Sequence, residues 1–284
     1  MSRDQRRAVL KEVAKEYGRT GYNPDRAITI FGLVTELAEI MDKRSNSRRA
    51  SFAGAHAIKV YENTARKYGY KGEKGPVHCK KGCGYCCHTR VTATALELFM
   101  LARGIRDRWN DANDPLKERF RAVEAQTRAI PREQWVPNRI PCAFLAGGAC
   151  SVYESRPLTC RTYASLSLPA CIDWFNGAQV EVPHPDRNQL LRVFILAAMK
   201  AAMANAGFEI AGFEMAHGLE IAMAPDAEAR WLAGENVFAG VKNDDFSGRP
   251  GGRSQGHEAF DLIVEVFKTG PFGKDMPPNP WFSW

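Results

Sequence analysis

Long apolar runs are scarce in this chain. The longest, Leu190 to Ala204, is about fifteen residues and carries Arg192 and Lys200, short of the roughly 20 that a bilayer-spanning helix needs. The opening Met-Ser-Arg-Asp-Gln-Arg-Arg is charged where a secretory leader needs an apolar stretch, which predicts a cytoplasmic protein. Familiar enzyme signatures are missing as well. There is no G-x-S-x-G elbow, no Walker phosphate loop and no H-E-x-x-H zinc helix. No G-x-G-x-x-G follows a strand pattern, so nothing local predicts a nucleotide fold. No internal repeat is found. Acidic residues are nearly absent between Lys43 and Arg90, where only Glu62 and Glu73 face twelve lysines and arginines.

Cysteine, by contrast, is abundant and clustered. The first group is Cys79-x3-Cys83-x2-Cys86-Cys87, in the polar, glycine-rich run His78 to His88, and the second is Cys142, Cys150, Cys160 and Cys171. Cysteines that only fill a core arrive singly among apolar residues. In a reducing compartment clustered thiols more often hold metal than form disulfides, a disulfide framework being the alternative. Thiolates are soft ligands that suit zinc or the irons of an iron–sulfur cluster far better than magnesium or calcium. Short spacings bring two sulfurs together without a costly loop closure. Gly82 and Gly84 let the backbone bend and leave amides free to hydrogen-bond sulfur, and Lys80, Lys81, Arg90, Arg156 and Arg161 can offset thiolate charge. The adjacent pair Cys86-Cys87 fits poorly in one mononuclear tetrahedral site, because neighbouring side chains diverge. It points to two sites or to one multi-metal cluster.

The second group sits in Pro141-Cys142-Ala-Phe-Leu145 and in Gly148-Ala-Cys150-Ser-Val-Tyr153-Glu-Ser-Arg156-Pro157-Leu-Thr-Cys160-Arg161. Together, a CxxCxxCC-like run, a PC-x-x-L element, a C-x-[IV]-Y-x-x-R-P segment and a final C-R resemble the bacterial CxxCxxCC cysteine-cluster family of zinc- or iron-chelating proteins. The same domain type is similar to that of flagellin lysine N-methylases, so the resemblance implies S-adenosylmethionine as a cofactor. The resemblance covers Cys79 to Cys171 and departs from the pattern in its first spacing, C-x3-C rather than C-x2-C. All eight cysteines are candidate metal ligands, enough for two four-thiolate centres or for one cluster with further thiols that are catalytic, redox-active or buried, Cys171 above all reading also as a packed thiol. Arg156 and Arg161 are the candidates to support the bound group from behind.

The fold class expected is mainly α: helical N- and C-terminal segments around an irregular cysteine-rich core. With 284 residues and 45% apolar content the chain supports a packed core. We divide it into a basic helical segment, 1–72, the metal-binding core, 73–185, and a helical segment, 186–284, packed as one unit with the core. Helical spacing of Leu10, Val13, Ala14 and Tyr17, and of Ala27, Ile30, Phe31, Val34, Leu37, Ala38 and Met41, predicts two helices, the second starting near Asn23-Pro24. A third is predicted over Ser51 to Tyr68, released by Gly69 and Gly72. Thr94-x-x-Glu97 reads as a capping box, and Asp114-Pro115 as the start of a helix to Ala129. Pro131 to Pro185 lacks periodicity, and metal ligation is expected to replace regular structure there. Helix returns over Asp186 to Asn205, stopped by Gly207, then near Phe213 to Met223, Asp226 to Ala233 and His257 to Phe267. A loop is predicted over Asp244 to Gly256, and the proline- and tryptophan-containing end is expected to dock on the body or on a partner.

Neutral imidazole can replace a thiolate, so His78 and His88 are weighed as ligands, whereas His56, His184, His217 and His257 read as packing or surface residues. Ser155 is expected to cap a short helix carrying Cys160 and Arg161. Residues 1–90 hold 19 Lys and Arg against 9 Asp and Glu, a bias that attracts phosphate or an acidic surface. Two readings follow. The first is a metalloenzyme with an iron–sulfur cluster or iron, doing redox or group-transfer chemistry on a protein, peptide or small-molecule substrate. The second is a structural zinc module that presents Lys43 to Arg90, with Phe52, Tyr61, Tyr68 and Tyr70 interleaved, to nucleic acid or an acidic protein. Metal storage or delivery is a third use of the same thiols.

Overall fold

The computed structural model describes residues 24–70, 75–131 and 134–241. The helix at Leu10 to Tyr17, the loop at Asp244, the helix at His257 and the aromatic end lie outside these residues, as do Asn23 and Gly72. Within them the chain is mainly α-helical. Helix α1, Pro24–Asp42, turns Leu33, Val34, Leu37 and Met41 into the core at helical spacing. Helix α2, Arg49–Thr64, buries Ala50, Ala53, Gly54, Ala57 and Tyr61, and helix α3, Ala95–Asn110, lies against it.

That α2–α3 contact is close because of one glycine. A Cβ built on Gly54 would stand 2.3 Å from the Leu96 carbonyl oxygen, so only hydrogen lets the two backbones approach this far. Helix α3 is the centre of the molecule: Val91 to Ala102 are all buried. The predicted capping box at its start is present, with Thr94 Oγ1 accepting from the Glu97 amide and the Glu97 carboxylate accepting from the Thr94 amide. Helix α4, Leu116–Ala129, follows the Asp114-Pro115 signal as expected, its first amide donating to the Asp114 carboxylate.

The α2 helix is shorter than predicted. It gives way after Thr64 to a π-helical turn, Ala65–Gly69, a local widening of the helix that single-sequence periodicity cannot register. The stretch from Pro131 to Pro185 is more regular than expected. It holds a single helical turn α5, Trp135–Asn138, and a small hairpin of β2, Leu145–Ala146, and β3, Ala149–Cys150. Two further short helices follow, α6, Leu158–Thr162, and α7, Leu168–Phe175.

Helix α8, Asp186–Asn205, runs over the residues predicted for it, and Gly207 stands just beyond its end with φ of 80°, where a glycine costs least. It packs along α1. Beyond it the expected helix from Phe213 begins instead as a strand. Strand β4, Gly212–Glu214, pairs antiparallel with β1, Thr92–Thr94, in the register Thr92↔Glu214, Ala93↔Phe213, Thr94↔Gly212. Each strand runs directly into a helix, β1 into α3 and β4 into α9, Met215–Ala222, and each helix is capped by the strand's last residue, Thr94 or Glu214. Three-residue strands are too short for an alternating pattern to show. Helix α10, Ala227–Leu232, closes the described chain. One hydrophobic cluster runs from Leu33 through Phe99 and Phe120 to Phe238 and Val241, so segments before, within and after the cysteine-rich stretch share a core.

Candidate metal centre

Two backbone joints bring the cysteine groups together. The amide of Cys142 donates to the carbonyl of Cys87 at 2.7 Å, and His78 donates to Ser165 at 2.9 Å while Ser165 N–H donates to the Cys79 sulfur at 3.2 Å. Cys79 and Cys83 lie on a loop that turns at Gly82, φ 92°, with the Cys83 amide on the Lys80 carbonyl. Cys86 and Cys87 sit on a 3₁₀ turn, Tyr85–His88, entered through Gly84, which packs closely on the hairpin: a Cβ there would be 3.1 Å from Leu145. Cys150 ends the hairpin, and Cys160 rides on α6.

Seven of the eight cysteines, all but Cys171, line one cavity of about 610 Å³. Cys86 and Cys87 both line it, near enough to each other for Cys87 to raise the Cys86 pKa. Cys171, on α7, is outside the lining yet near enough to Cys79 for its charge to be felt there. The sulfurs share a cavity rather than a point: among the described residues no three His, Cys, Asp or Glu side chains are drawn tightly enough to hold one ion. The donor set nonetheless fits zinc or iron, being soft, sulfur-only in its majority and gathered from both sequence groups.

Four of the thiols, Cys79, Cys86, Cys142 and Cys160, have raised pKa values. The Cys87 hydrogen bond, then burial, raises the Cys86 pKa. Burial pushes Cys142 up to about 12. Cys160 is raised by burial and by the prospective charges of Cys142 and Cys86, and Cys79 chiefly by burial. Arg156 is the cation that opposes this at Cys86 and Cys160. A metal that binds here must therefore displace protons, and its charge replaces them.

Arg156 and Arg161 both line the cavity but are used differently. Arg161, with 6% of its side chain exposed, pairs with Glu62 of α2 and donates to the carbonyls of Arg156 and Glu154, tying three segments together. Arg156 lays its guanidinium over the Tyr153 ring, 3.5 Å from the centroid, and donates Nε–H to the Tyr153 carbonyl. His78 is exposed, and His88 rests its ring on Phe175; neither lines the cavity. His184 meets the Ala164 carbonyl and the Tyr163 ring, His56 bonds Glu36, and the His217 amide bonds the Glu214 carboxylate.

Ser155 does not cap the helix that carries Cys160. That helix starts after Pro157 with no side-chain cap of its own, and its first amide, Leu158 N–H, donates to Glu97 Oε1 at 2.7 Å. Ser155 packs against Gly104 instead. Glu97, 2% exposed, thus caps two helices with one carboxylate, one oxygen to Thr94 and the other to Leu158. Its pKa is raised, because burial outweighs these hydrogen bonds and the attraction of the half-buried Arg192. The capping box was visible in sequence; the second oxygen's partner, 61 residues on, left no local signal. Tyr61 was missed as a cavity residue for the same reason. It lines the wall and donates to Asn188 Oδ1 at 2.8 Å, while Asn188 donates to the Thr162 carbonyl.

No helix among the described residues is long and apolar enough to cross a membrane. No curated protein and no solved structure matches the chain. Residues 78–182, the stretch that supplies all the thiols, match the model of the CxxCxxCC family, described as a "putative zinc- or iron-chelating domain".

Proposed function

We propose that the thiols of the two groups hold iron, as an iron–sulfur cluster or as iron alone, and that the protein does redox or group-transfer chemistry on a protein, peptide or small-molecule substrate. The observation that carries this reading is the cavity itself. A structural four-thiolate zinc site closes on its ion, whereas here seven cysteines line a space of about 610 Å³ whose other walls are Tyr61, Glu62, Arg66, Tyr70 and Tyr153, within the size range of small-molecule sites. When bound, the metal would supply an electron carrier or a Lewis acid. The chain's own part is to shield the sulfurs, to set their charge through Arg156, and to fix Cys160 by capping α6 from the buried Glu97.

Native purification with and without oxygen, followed by iron, sulfide and zinc analysis and an optical spectrum, tests it. Iron with a visible charge-transfer band is expected. Stoichiometric zinc alone would sink the redox reading.

The zinc module is the second reading, favoured by exposed cations: Lys43, Arg44, Arg48, Lys59, Arg66 and Lys67 all face outward. Against it, Tyr61 is 3% exposed and committed to Asn188, and one face of the Phe52 ring carries the Arg103 guanidinium, so of its four interleaved aromatics Tyr61 offers no open stacking face and Phe52 has one face taken. Binding to single-stranded nucleic acid that weakens steeply as salt rises would support it.

A further inference from the structure

The thiol cavity has a wall that the matched domain does not provide. Where α2 ends, the π-helical turn Ala65–Gly69 carries Ala65 and Arg66 onto the cavity, and the chain after it places Tyr70 at the rim, 41% exposed. The matched residues 78–182 supply the thiols together with Lys80, Tyr153, Arg156 and Arg161, whereas Tyr61, Glu62, Ala65, Arg66 and Tyr70 all precede them. The Tyr70 phenol lies near enough to the Tyr61 phenol and to Arg156 for both to act on its ionisation. The buried chain Tyr61, Asn188 and the Thr162 carbonyl fixes the Tyr61 phenol to α8 and α6. A π-turn at such a place commonly marks a functional site.

The charge of this space is positive. Arg66, Lys80, Arg156 and Arg161 line it against Glu62 and Glu154. Glu62 is committed to Arg161. Arg66, Lys80 and Arg156 have no carboxylate partner among the described residues, and Arg156 is immobilised on Tyr153 with its terminal nitrogens unengaged by any of them. Arg66 is exposed at the mouth and Arg156 half-buried, and guanidinium groups without a carboxylate partner recognise planar or tetrahedral oxyanions.

We propose that this wall is a ligand subsite: Arg66 and Arg156 hold a carboxylate or phosphate group of a small molecule or peptide and so present the rest of the ligand to the thiol-held metal. This rests on the metal reading above and names its substrate class. The competing use of the same cations is to balance thiolate charge, which Arg156, near Cys86 and Cys160, can do. Arg66 stands outside the cysteine-bearing segment and separates the two uses.

Calorimetric titration of the full-length, natively loaded protein with inorganic phosphate and with glutarate, at low and moderate salt, tests the subsite. Metal content is measured on every sample. Saturable binding of one probe is expected, phosphate or glutarate identifying the group preferred. R66Q should weaken it about tenfold with metal content unchanged, and R66K should recover part of the loss. Absence of binding to either probe, or R66Q binding as tightly as wild type, overturns the subsite. Loss of metal in R156Q with R66Q unaffected in its anion binding would likewise assign the cations to the thiolates alone. Samples that bind the probe but contain neither iron nor zinc would refute the metal reading and leave the subsite standing.

Discussion

Glu97 is where a single side chain carries most. It is a buried carboxylate whose two oxygens close the N-termini of α3 and of α6, and α6 carries Cys160. Removing it leaves buried amides of Thr94 and Leu158 unpaired, so E97A should lower stability by roughly 2–4 kcal/mol, a lost cap plus an unsatisfied buried donor. Chemical denaturation read by circular dichroism measures this. Its ionisation acts with the opposite sign to an ordinary ion-paired carboxylate. Because burial raises its folded pKa above the ordinary 4.5, its contribution is fully present below that ordinary value and is lost as pH rises through the folded pKa. Wild type should therefore lose stability relative to E97Q as pH rises across that interval. Wild type instead gaining stability relative to E97Q as pH rises would show a depressed pKa.

The thiols give a second pH dependence, of binding rather than folding. Cys142 titrates at about 12 in the metal-free protein, and Cys79, Cys86 and Cys160 are also raised, so each that becomes a ligand releases a proton. Apparent affinity for zinc, measured by competition with a chromophoric chelator from about pH 6 to about pH 8, should rise about tenfold per pH unit for each proton released. A flat profile would mean the cysteines are not the ligands.

At the scale of elements, the α2–α3 contact is set by Gly54. G54A puts a methyl group against the Leu96 carbonyl, and backbone cannot step aside as a side chain tip can. A loss of about 1–3 kcal/mol is expected from overpacking. Gly32, in α1, has nothing within 4 Å of the same built atom, and G32A should be neutral or gain about 0.5–1 kcal/mol from helix propensity. Thermal melts of the two variants side by side check the contrast. The elements also show how far sequence reading reaches. The Thr94-Glu97 box, the Asp114-Pro115 start and the whole of Asp186 to Asn205 were legible because caps and helical periodicity are local. Strands β1 and β4 were not, since three residues carry no alternation and each is stabilised by a partner about 120 positions away. The π-turn after Thr64 and the cap of α6 escaped for the same cause.

The whole molecule couples its metal site to its core. Hydrogen bonds join segment 78–79 to Ser165 and Cys87 to Cys142, and Phe144, Val152 and Leu158 belong to the common hydrophobic cluster. Metal bound to the folded state alone stabilises it by mass action. Stripping metal with a chelator should lower the melting temperature by several degrees while leaving most helical signal, since α1, α2, α3 and α8 pack without the cysteines. Collapse of the whole helical signal on chelation would instead place the metal at the root of the fold.

The sequence by itself determined that the chain is mainly helical, where α3, α4 and α8 begin, and that its chemistry is that of clustered thiols. These follow from side-chain type and short-range spacing. Only the tertiary structure decided that seven thiols from two groups line one cavity, that Cys87 and Cys142 meet through the backbone, that Glu97 supports the helix of Cys160, and that Tyr61, Arg66 and Tyr70 complete the wall. Those are contacts between residues tens of positions apart. What selects them is the packing of apolar faces into a common core, together with the requirement that buried polar groups find partners, and neither is encoded at any one place along the chain.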